Sequence, residues 1–307
     1  NLKNKPLLTG TMNATNNASL TCVQVDDVAA ANANVVWFKD VGASYSLDCG
    51  TNSIISPKVF LQGPLLSPDI AGLMNDDLRV NDLIPTTSPY SDALKCENTV
   101  FNTTGNDAIV DWVWVELRDQ ANNTNIIEGQ SALLQRDGDV VATDGSSSLI
   151  FNADSGNYYV VIKHRNHLGI MSTNTIVLSG VSLILNYTDA NTPITYGTNA
   201  QTPFGMPTNT LAMWAGDVNN DGIIQYTGAS PDTPNILSNV LNDAGNFLNL
   251  PTHIVNGYNT NDVDMNGASQ YTGASPDSPF ILQNALAHPG NFLNLSTYSI
   301  IEQLPEN

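Results

Sequence analysis

Oxygen-bearing side chains recur at alternate positions in two short segments near the C-terminal end of the chain. The first segment has Asp217, Asn219 and Asp221, and the second has Asp262, Asp264 and Asn266. A glycine follows each triplet at once, and a further aspartate, Asp232 or Asp277, comes fifteen residues after the first. A hard cation such as Ca²⁺ takes about six to eight oxygen ligands from a short, bent loop, which this pattern can supply. The spacing therefore predicts two calcium ions as cofactors, one in each loop.

The two loops open longer copies of one repeat. Asp217–Leu250 and Asp262–Leu295 are identical at 22 of 34 aligned positions, at an offset of 45 residues. Behind each loop the sequence predicts a helix, because proline comes at its second residue and apolar residues then recur at helical spacing. We expect the apolar stripes of the two helices to pack against each other, and the sequences Asn246–Leu248 and Asn291–Leu293 to close each unit. The stripes comprise Ile236, Leu237, Val240, Leu241, Ile281, Leu282, Ala285 and Leu286.

The beginning of each repeat resembles the calcium loop of type I dockerins, DxNxDG. In that family, as in the EF-hand, the seventh residue donates its backbone carbonyl and a carboxylate at the twelfth position completes the shell. Ile223 and Ala268 stand at the seventh position, whereas the twelfth is glycine in both copies. We predict that an inserted stretch, YTGASPD, brings in Asp232 and Asp277 as closing ligands that also cap the helices. The alternative is that these two aspartates only cap the helices.

The composition narrows the classes of partner. The 307 residues include 29 acidic and 10 basic side chains, for a net charge of −19. Nucleic acids and anionic membrane surfaces need basic patches, so neither is expected as a partner. No run approaches the roughly 20 apolar residues of a membrane-spanning helix, and none is predicted. No signal peptide opens the chain, so residue 1 is interpreted as a mature N-terminus or a fragment boundary.

Short strands dominate the middle of the chain. Asp111–Asp119 alternates strictly, which predicts a half-buried antiparallel strand with its valines on one face and its tryptophans on the other. Asp137-Gly138 between two apolar runs predicts a hairpin. Strands about every ten residues, separated by Gly, Asp and Asn turns, indicate an antiparallel β-sandwich. The predicted fold class is mainly β, with the sandwich at residues 55–210 and a small helical two-loop calcium domain at residues 211–307.

Residues 1–54 differ in composition from the rest. The stretch from Leu20 to Cys49 resembles the segment that closes leucine-rich repeat arrays in secreted proteins of the Bacteroidota, through Asp26, Asp27, Trp37, Tyr45 and the two cysteines Cys22 and Cys49. The region is therefore predicted to be a short cap or a remnant of such an array. Of the three cysteines, Cys22 and Cys49 are the expected disulfide pair and Cys96 the leftover thiol. Three reduced, buried cysteines remain the alternative.

Several longer motifs carry a second resemblance over residues 55–307. They are KVFLQGP, DWVWVELRD, SALLQRDGDVV and YYVVIKHRNHLGI, together with the two terminal repeats. As a set they resemble the C-terminal region of large secreted surface proteins of the Bacteroidota, in which a β-sandwich precedes paired dockerin-like repeats. The resemblance implies an extracellular or cell-surface location. It implies no particular activity.

Other clusters have simpler explanations. His164 and His167 are expected on opposite faces of a strand, which is poor geometry for one metal. Trp112 and Trp114 lie on one strand face and are typical of sugar-stacking platforms, but burial is the preferred interpretation. No GxSxG, HExxH, GxxxxGK[ST] or GxGxxG motif occurs, and nothing assembles a nucleophile with a base. The chain is therefore predicted not to be an enzyme.

These observations predict a secreted, calcium-stabilised, non-catalytic structural or adhesive protein. Homo-oligomers, filaments or layers are the expected assemblies, and a cell-surface component or a carbohydrate is the expected partner. One alternative is a docking module whose paired repeats bind a cohesin-like partner. Another is the accessory C-terminal region of a secreted hydrolase.

Overall fold

The chain folds as two units, Asn1–Thr51 and Asn52–Asn307. The computed structural model describes residues 2, 10–46 and 52–305. The regions 55–210 and 211–307 both lie within the second unit. No helix of the described residues is both long enough and apolar enough to cross a membrane.

The first unit is built from very short parallel strands. Its elements are β1 (Met12–Ala14), β2 (Cys22–Gln24), α1 (Val28–Ala33), β3 (Trp37–Lys39) and β4 (Ser44–Ser46). β1 pairs with β3 and β2 pairs with β4, both in parallel. The Asp27 carboxylate caps α1 by accepting a hydrogen bond from the backbone N–H of Ala30 at 2.9 Å. Cys22 is disulfide-bonded, Cys49 lies outside the described residues, and Cys96 is a buried free thiol.

The second unit begins with a sandwich-like pair of sheets around one core. The strands are β5 (Ser53–Lys58), β6 (Ile109–Asp119), β7 (Ile126–Gln135), β8 (Val140–Val141), β9 (Leu149–Phe151), β10 (Gly156–His164), β11 (His167–Met171), β12 (Ile176–Leu178) and β13 (Leu183–Asn186). An antiparallel sheet has the order β11-β10-β6-β7-β8, with β12 also on β10. The second sheet, β13-β5-β9, pairs β13 in parallel with β5. Side chains from both sheets share one buried cluster. The prediction of a mainly β fold with antiparallel sheets is confirmed.

Strand β6 is buried on both faces, so the prediction of a half-buried strand is wrong. Trp112 is fully buried, and its indole N–H donates to the carbonyl of Pro85 at 2.8 Å. Trp114 is half-buried and packs its ring 5.9 Å from that of Tyr90. The chain between β5 and β6, which includes α2 (Asp77–Val80), covers the tryptophan face. A tryptophan platform for sugars is therefore ruled out for Trp112.

The two terminal repeats exchange strands. Their elements are β16 (Ile223–Gln225), α3 (Thr233–Asn242), β17 (Ile254–Asn256), β18 (Ala268–Gln270), α4 (Ser278–Ala287) and β19 (Ser299–Ile301), preceded by the short pair β14 (Gln201–Thr202) and β15 (Ala212–Met213). β16 of the first copy pairs with β19 of the second, and β18 pairs with β17. The register Ile224↔Ile300 becomes Ser269↔Val255 when the copies are interchanged. This reciprocity relates the two copies by a pseudo-twofold.

The helices follow the same exchange. α3 contacts β18, α4 contacts β16, and the two helices also contact each other. Only Ile236 and Val240 of the first predicted stripe, and Ile281 and Ala285 of the second, are fully buried. The buried stripe of each helix is therefore narrower than predicted, and each helix packs on a strand of the other copy as well as on the other helix.

The NFL sequences do not close the units through their apolar side chains. Phe247 and Phe292 are 85% and 84% exposed. The asparagines do the closing instead: the Asn246 amide donates to the carbonyls of Val240 and Leu250 at 2.8 and 2.9 Å. Asn291 makes the equivalent bonds in the second copy. The prediction holds for the asparagine and is wrong for the phenylalanine.

Candidate metal centre

The first loop, residues 217–223, is bent around the side chain of its opening aspartate. The two oxygens of Asp217 accept hydrogen bonds from the backbone N–H groups of Asp221 and Gly222, both at 3.1 Å. Asn219 Oδ1 also accepts from Asp221 N–H at 3.0 Å, and Asp221 Oδ1 accepts from Ile223 N–H at 2.9 Å. These contacts turn the side chains of the first, third and fifth residues toward the inside of the loop.

The second loop, residues 262–268, repeats this geometry. Asp262 accepts from the N–H groups of Asn266 and Gly267 at 3.1 and 2.9 Å. Asn266 Oδ1 accepts from Ala268 N–H at 2.8 Å, and the Asn266 amide donates to Asp264 at 3.0 Å. Gly267 has a φ of +88°, a left-handed conformation that glycine adopts at least cost, and Gly222 has the same conformation. The sequence-predicted bend is thus placed at the expected residue in both copies.

The late aspartates close the loops and do not cap the helices. Asp232 accepts from the backbone N–H groups of Val218 and Gln225 at 3.0 and 2.8 Å. Asp277 accepts from those of Val263 and Gln270 at 2.6 and 2.8 Å. Each stands at the N-cap position of its helix, but its side chain makes no capping hydrogen bond. The expected side-chain cap is therefore wrong, and both carboxylates instead join the beginning of a loop to the strand that leaves it.

The second loop gathers carboxylate oxygens at a spacing that could hold a metal ion. One oxygen from each of Asp262, Asp264 and Asp277 lies within 4.8 Å of the other two. Ca²⁺ binds oxygen at 2.3–2.6 Å, so ligands on opposite sides of one ion are about 5 Å apart. Among the described residues, no other three His, Cys, Asp or Glu side chains meet this spacing. In the first loop an amide, Asn219, occupies the position of Asp264, and the second acidic residue is at the exposed Asp221.

The carboxylates of both loops are electrostatically unfavourable without a cation. Burial, reinforced by Asp217 and Asp221, raises the pKa of Asp232 to about 8. Burial together with Asp262 and Asp264 raises the pKa of Asp277 well above its usual range. Burial is also the main cause that raises the pKa of Asp217 to about 6. A divalent cation at these oxygens would stabilise the ionised forms and reverse the shifts.

The surroundings of the two loops differ. In the second loop Met265 is 1% exposed and belongs to the sandwich core. The carbonyl of Val263 lies so close to Gly63 that a Cβ atom there would approach it to 2.2 Å. The first loop instead borders an open cavity of about 300 Å³, lined by Lys163, His164, His167, Asp217, Asn220, Asp221, Gly222 and Glu302. The second loop is therefore built into the core, and the first lies at the surface.

A polar turn between β10 and β11 connects the sandwich to both loops. The side-chain amide of Asn166 donates to the backbone carbonyl of Asp262 at 2.7 Å, and the backbone carbonyl of Asn166 accepts from the Gly216 N–H at 2.9 Å. Arg165 Nε donates to Asp111 Oδ2 at 2.9 Å, and its Nη1 donates to the carbonyl of Asn259. The turn thus holds Gly216, which directly precedes the first loop, and Asp262, the first residue of the second loop.

The histidines of this turn face each other, so their predicted placement on opposite faces is wrong. A register shift after Ile162 brings the Nδ1 atoms of His164 and His167 to 3.0 Å. His167 Nε2 accepts from Gly63 N–H at 3.2 Å, which makes its Nδ1 the protonated nitrogen in the neutral ring. The His167 Nδ1–H is shared between Asn166 Oδ1 at 2.8 Å and His164 Nδ1, and His164 donates from Nε2 to Asp111 at 3.1 Å. Burial lowers the pKa of both rings, which agrees with this neutral pair.

Asp111 is the residue that sequence reasoning missed. It is fully buried and accepts hydrogen bonds from Arg165, His164 and the hydroxyl of Tyr258, the last at 2.7 Å. Burial opposes its ionisation, yet Arg165 and His164 outweigh burial and lower its pKa to about 2. An aspartate inside a strand of valines and tryptophans was the available signal, since buried charges need partners.

Comparison with protein family models, with curated proteins and with solved structures finds no match.

Proposed function

We propose that this chain is a secreted, non-catalytic structural or adhesive protein whose second unit is locked by two calcium ions. The observation that carries the proposal is the position of Asp232 and Asp277. Both carboxylates are buried, neither caps its helix, and each turns into the loop that the alternating Asp and Asn side chains open. The predicted backbone ligands, Ile223 and Ala268, are the first residues of the strands that leave the loops.

Calcium would act on folding in this proposal. Each ion would join the beginning of a repeat to its helix, and the strand exchange would pass that constraint to the other copy. An ion present at about 100 times its dissociation constant stabilises the folded state by about 2.7 kcal/mol. The Asn166 turn would extend the effect to the sandwich, because it holds Gly216 before the first loop and Asp262 at the start of the second.

The test is calcium titration of the chelated chain by calorimetry, combined with thermal unfolding. We expect two ions per chain and a melting temperature that rises by several degrees with calcium. The matched variants Asp232→Asn and Asp277→Asn should each remove one ion. An unchanged melting profile in excess chelator, or a stoichiometry of zero, contradicts the proposal.

The short parallel strands of the first unit support its assignment as a leucine-rich-type cap. β1 pairs with β3 over 25 residues of sequence and β2 with β4 over 22, as successive turns of a repeat array would. A cap of this kind and the paired repeats are both features that we associate with secreted surface proteins. The location is tested by fractionating the native cells and their medium and probing both with an antibody against the chain.

A contact function at the repeats is the second candidate, and one observation favours it. The tips behind the helices expose the same side chains to the same extent: Phe247 and Phe292 at 85% and 84%, Leu248 and Leu293 at 65% and 66%. Uncharged, exposed apolar tips in two copies suit self-assembly or docking on a partner with two equivalent sites. Sedimentation of the calcium-loaded chain and of a Phe247→Ser, Phe292→Ser double variant tests self-assembly. A monomer in both samples leaves docking as the role of the tips.

A further inference from the structure

A second pocket lies beside Arg165 and Tyr258, two hydrogen-bond partners of Asp111, and is lined by one residue of the first loop and by residues that precede the second. It has a volume of about 350 Å³, at the small end of ligand pockets. Residues used in the argument below are Tyr90, Arg165, Asn220, Tyr258, Asn259 and Thr260, all of which line it. Asn220 is the fourth residue of the first loop, and Thr260 comes two residues before the second. We call this site the tyrosine pocket.

Arg165 leaves one donor unused in the tyrosine pocket. Its Nε donates to Asp111 and its Nη1 to the carbonyl of Asn259, but its buried Nη2 has no hydrogen-bond partner. The whole side chain is only 7% exposed. A buried donor without a partner is uncommon in folded proteins, because its lost hydration is not compensated. A ligand oxygen in the pocket would satisfy it.

Aromatic rings and uncharged polar groups form the rest of the lining. The Tyr258 hydroxyl is already engaged by Asp111, and the Arg165 guanidinium lies 4.4 Å from the Tyr258 ring centre. The Tyr90 hydroxyl lies 3.4 Å from the carbonyl of Trp112. Both phenols are thus occupied at their polar ends. Arg165 covers one face of the Tyr258 ring and Trp114 packs beside the Tyr90 ring, so only the remaining ring surface lines the pocket. Amides from Asn220 and Asn259 and the Thr260 hydroxyl add donors and acceptors around these rings.

The electrostatic setting favours an uncharged ligand. Asp111 offsets the charge of Arg165 at 2.9 Å, so the guanidinium has a free N–H but little net charge to offer an anion. Asp262 also lies close enough to Arg165 to interact with its charge. A chain with a net charge of −19 would repel an acidic ligand at long range. An uncharged ring with C–H faces and several hydroxyl groups matches the lining.

We propose that the tyrosine pocket binds a neutral sugar ring, a single hexose or N-acetylhexosamine unit of a glycan, with a ring or acetamide oxygen on Arg165 Nη2. The inference deepens the proposed adhesive function and rests on it. Because Asn220 belongs to the first loop, calcium in that loop would order one wall of the pocket. Sugar binding would therefore weaken in chelator before the second unit unfolds.

The test uses the calcium-loaded full chain and the methyl glycosides of glucose, galactose, mannose and N-acetylglucosamine, with glucuronate and galacturonate as acidic probes. Saturation-transfer NMR detects binding, and titration gives the affinity. Arg165→Lys, which keeps the charge but loses Nη2, should weaken the bound neutral glycoside by about tenfold or more. Asn220→Gly should weaken it several-fold, since glycine tolerates the left-handed conformation there and only the amide is lost.

Asn209→Gly is the matched control. Asn209 is exposed and left-handed like Asn220, but it lies outside the pocket, so its variant should bind sugar as the parent does. If Arg165→Lys does not fold, as judged by its calcium stoichiometry and melting, the Asn220 and Asn209 pair decides. No binding of any neutral glycoside, tighter binding of the uronates, or equal effects of the two asparagine variants overturns the inference. Two calcium ions without sugar binding would sink this inference alone, whereas absence of calcium binding would sink the proposed function.

Discussion

The two aspartate-rich loops, residues 217–223 and 262–268, have nearly the same internal geometry in different surroundings. Asp217 and Asp262 accept equivalent pairs of backbone hydrogen bonds, and Asp232 and Asp277 close the loops in the same way. The fourth residue is left-handed in both, yet it is the exposed Asn220 in one loop and the buried Met265 in the other. The same local code thus serves a surface loop and a loop that is part of the core.

The comparison separates what calcium would do at each site. Loss of order in the second loop would withdraw Met265 from the sandwich core and disturb the contact of Val263 with Gly63. Loss of order in the first loop would disturb mainly the cavity beside His167 and the wall of the tyrosine pocket. We therefore expect the ion in the second loop to be held firmly as part of the core. We expect the ion in the first loop to exchange more rapidly with calcium in solution.

The largest expected difference is between Asp277→Ala and Asp232→Ala. Each variant leaves two buried N–H groups without an acceptor, at a cost of about 1–3 kcal/mol per group, so about 2–6 kcal/mol in all. Asp277→Ala should fall at the upper end and destabilise the whole second unit, because its loop packs into the core. Asp232→Ala should fall at the lower end. Urea unfolding in excess chelator measures both without the contribution of a bound ion, and equal losses would remove the distinction between the loops.

The fourth loop residues give the next largest difference. Met265→Ala creates a cavity in the core and should cost about 2–5 kcal/mol, whereas Asn220→Ala should stay within about 1 kcal/mol because the residue is exposed. Thermal unfolding of the two variants beside the parent is the measurement. A large loss for Asn220→Ala would show that the first loop is also anchored by this residue.

The pH dependence of calcium affinity should also differ between the loops. Between about pH 8 and pH 6.5 the ion must displace a proton from Asp232 in the first loop, whose pKa is raised to about 8. In the second loop it must displace protons from both Asp262 and Asp277, whose pKa values are raised by burial and by neighbouring carboxylates. Each displaced proton weakens affinity about tenfold per pH unit. Titrations at both pH values should therefore show a steeper loss for the second ion.

The chelated protein should respond to pH in the opposite sense. The folded-state pKa of Asp232 exceeds its ordinary value of 3.8, so its contribution to stability is complete below pH 3.8 and is lost as pH rises through about 8. The chelated chain should melt lower at pH 8 than at about pH 6.5. Measurements stay above pH 6.5 because His164 and His167 are buried in the neutral form. Their contribution to the stability of the folded state is lost as pH falls below that value. A melting temperature that rises toward pH 8 in chelator would contradict the assigned shifts.

The smallest effect is expected at the apolar tips. Phe247→Ser and Phe292→Ser remove side chains that are exposed in both copies, so each should change stability by less than about 0.5 kcal/mol. Asn246→Ala is the contrasting variant, because it deletes two buried hydrogen bonds and should cost about 1–3 kcal/mol. A phenylalanine variant as costly as the asparagine variant would restore the closing role first predicted for the tips.

The parts of this structure that depend on local chemistry were predictable. Alternating Asp and Asn before a left-handed glycine predicted the loop bend, and proline two residues after Asp232 and Asp277 predicted the start of each helix. Period-two alternation predicted the strand at Asp111–Asp119. The prediction that only one face of this strand is covered was wrong. Alternation in sequence cannot show whether solvent or a long segment of the chain lies on the second face. The prediction that Asp232 caps its helix was wrong. Its carboxylate accepts hydrogen bonds from the N–H groups that the fold brings nearest, and these belong to Val218 and Gln225.

The repeated sequence by itself determined that two loops of one kind exist and which oxygen-bearing residues each contains. Only the tertiary structure decided that the copies exchange β16 and β18 with each other's final strands, that Met265 enters the core, and that Asn220 does not. It also brought Asp111 to Arg165, residues 54 apart in sequence. Loop conformation follows from hydrogen bonds between residues that are near in sequence. Burial and charge pairing depend on residues that are distant in sequence, so they are settled only when the whole unit packs.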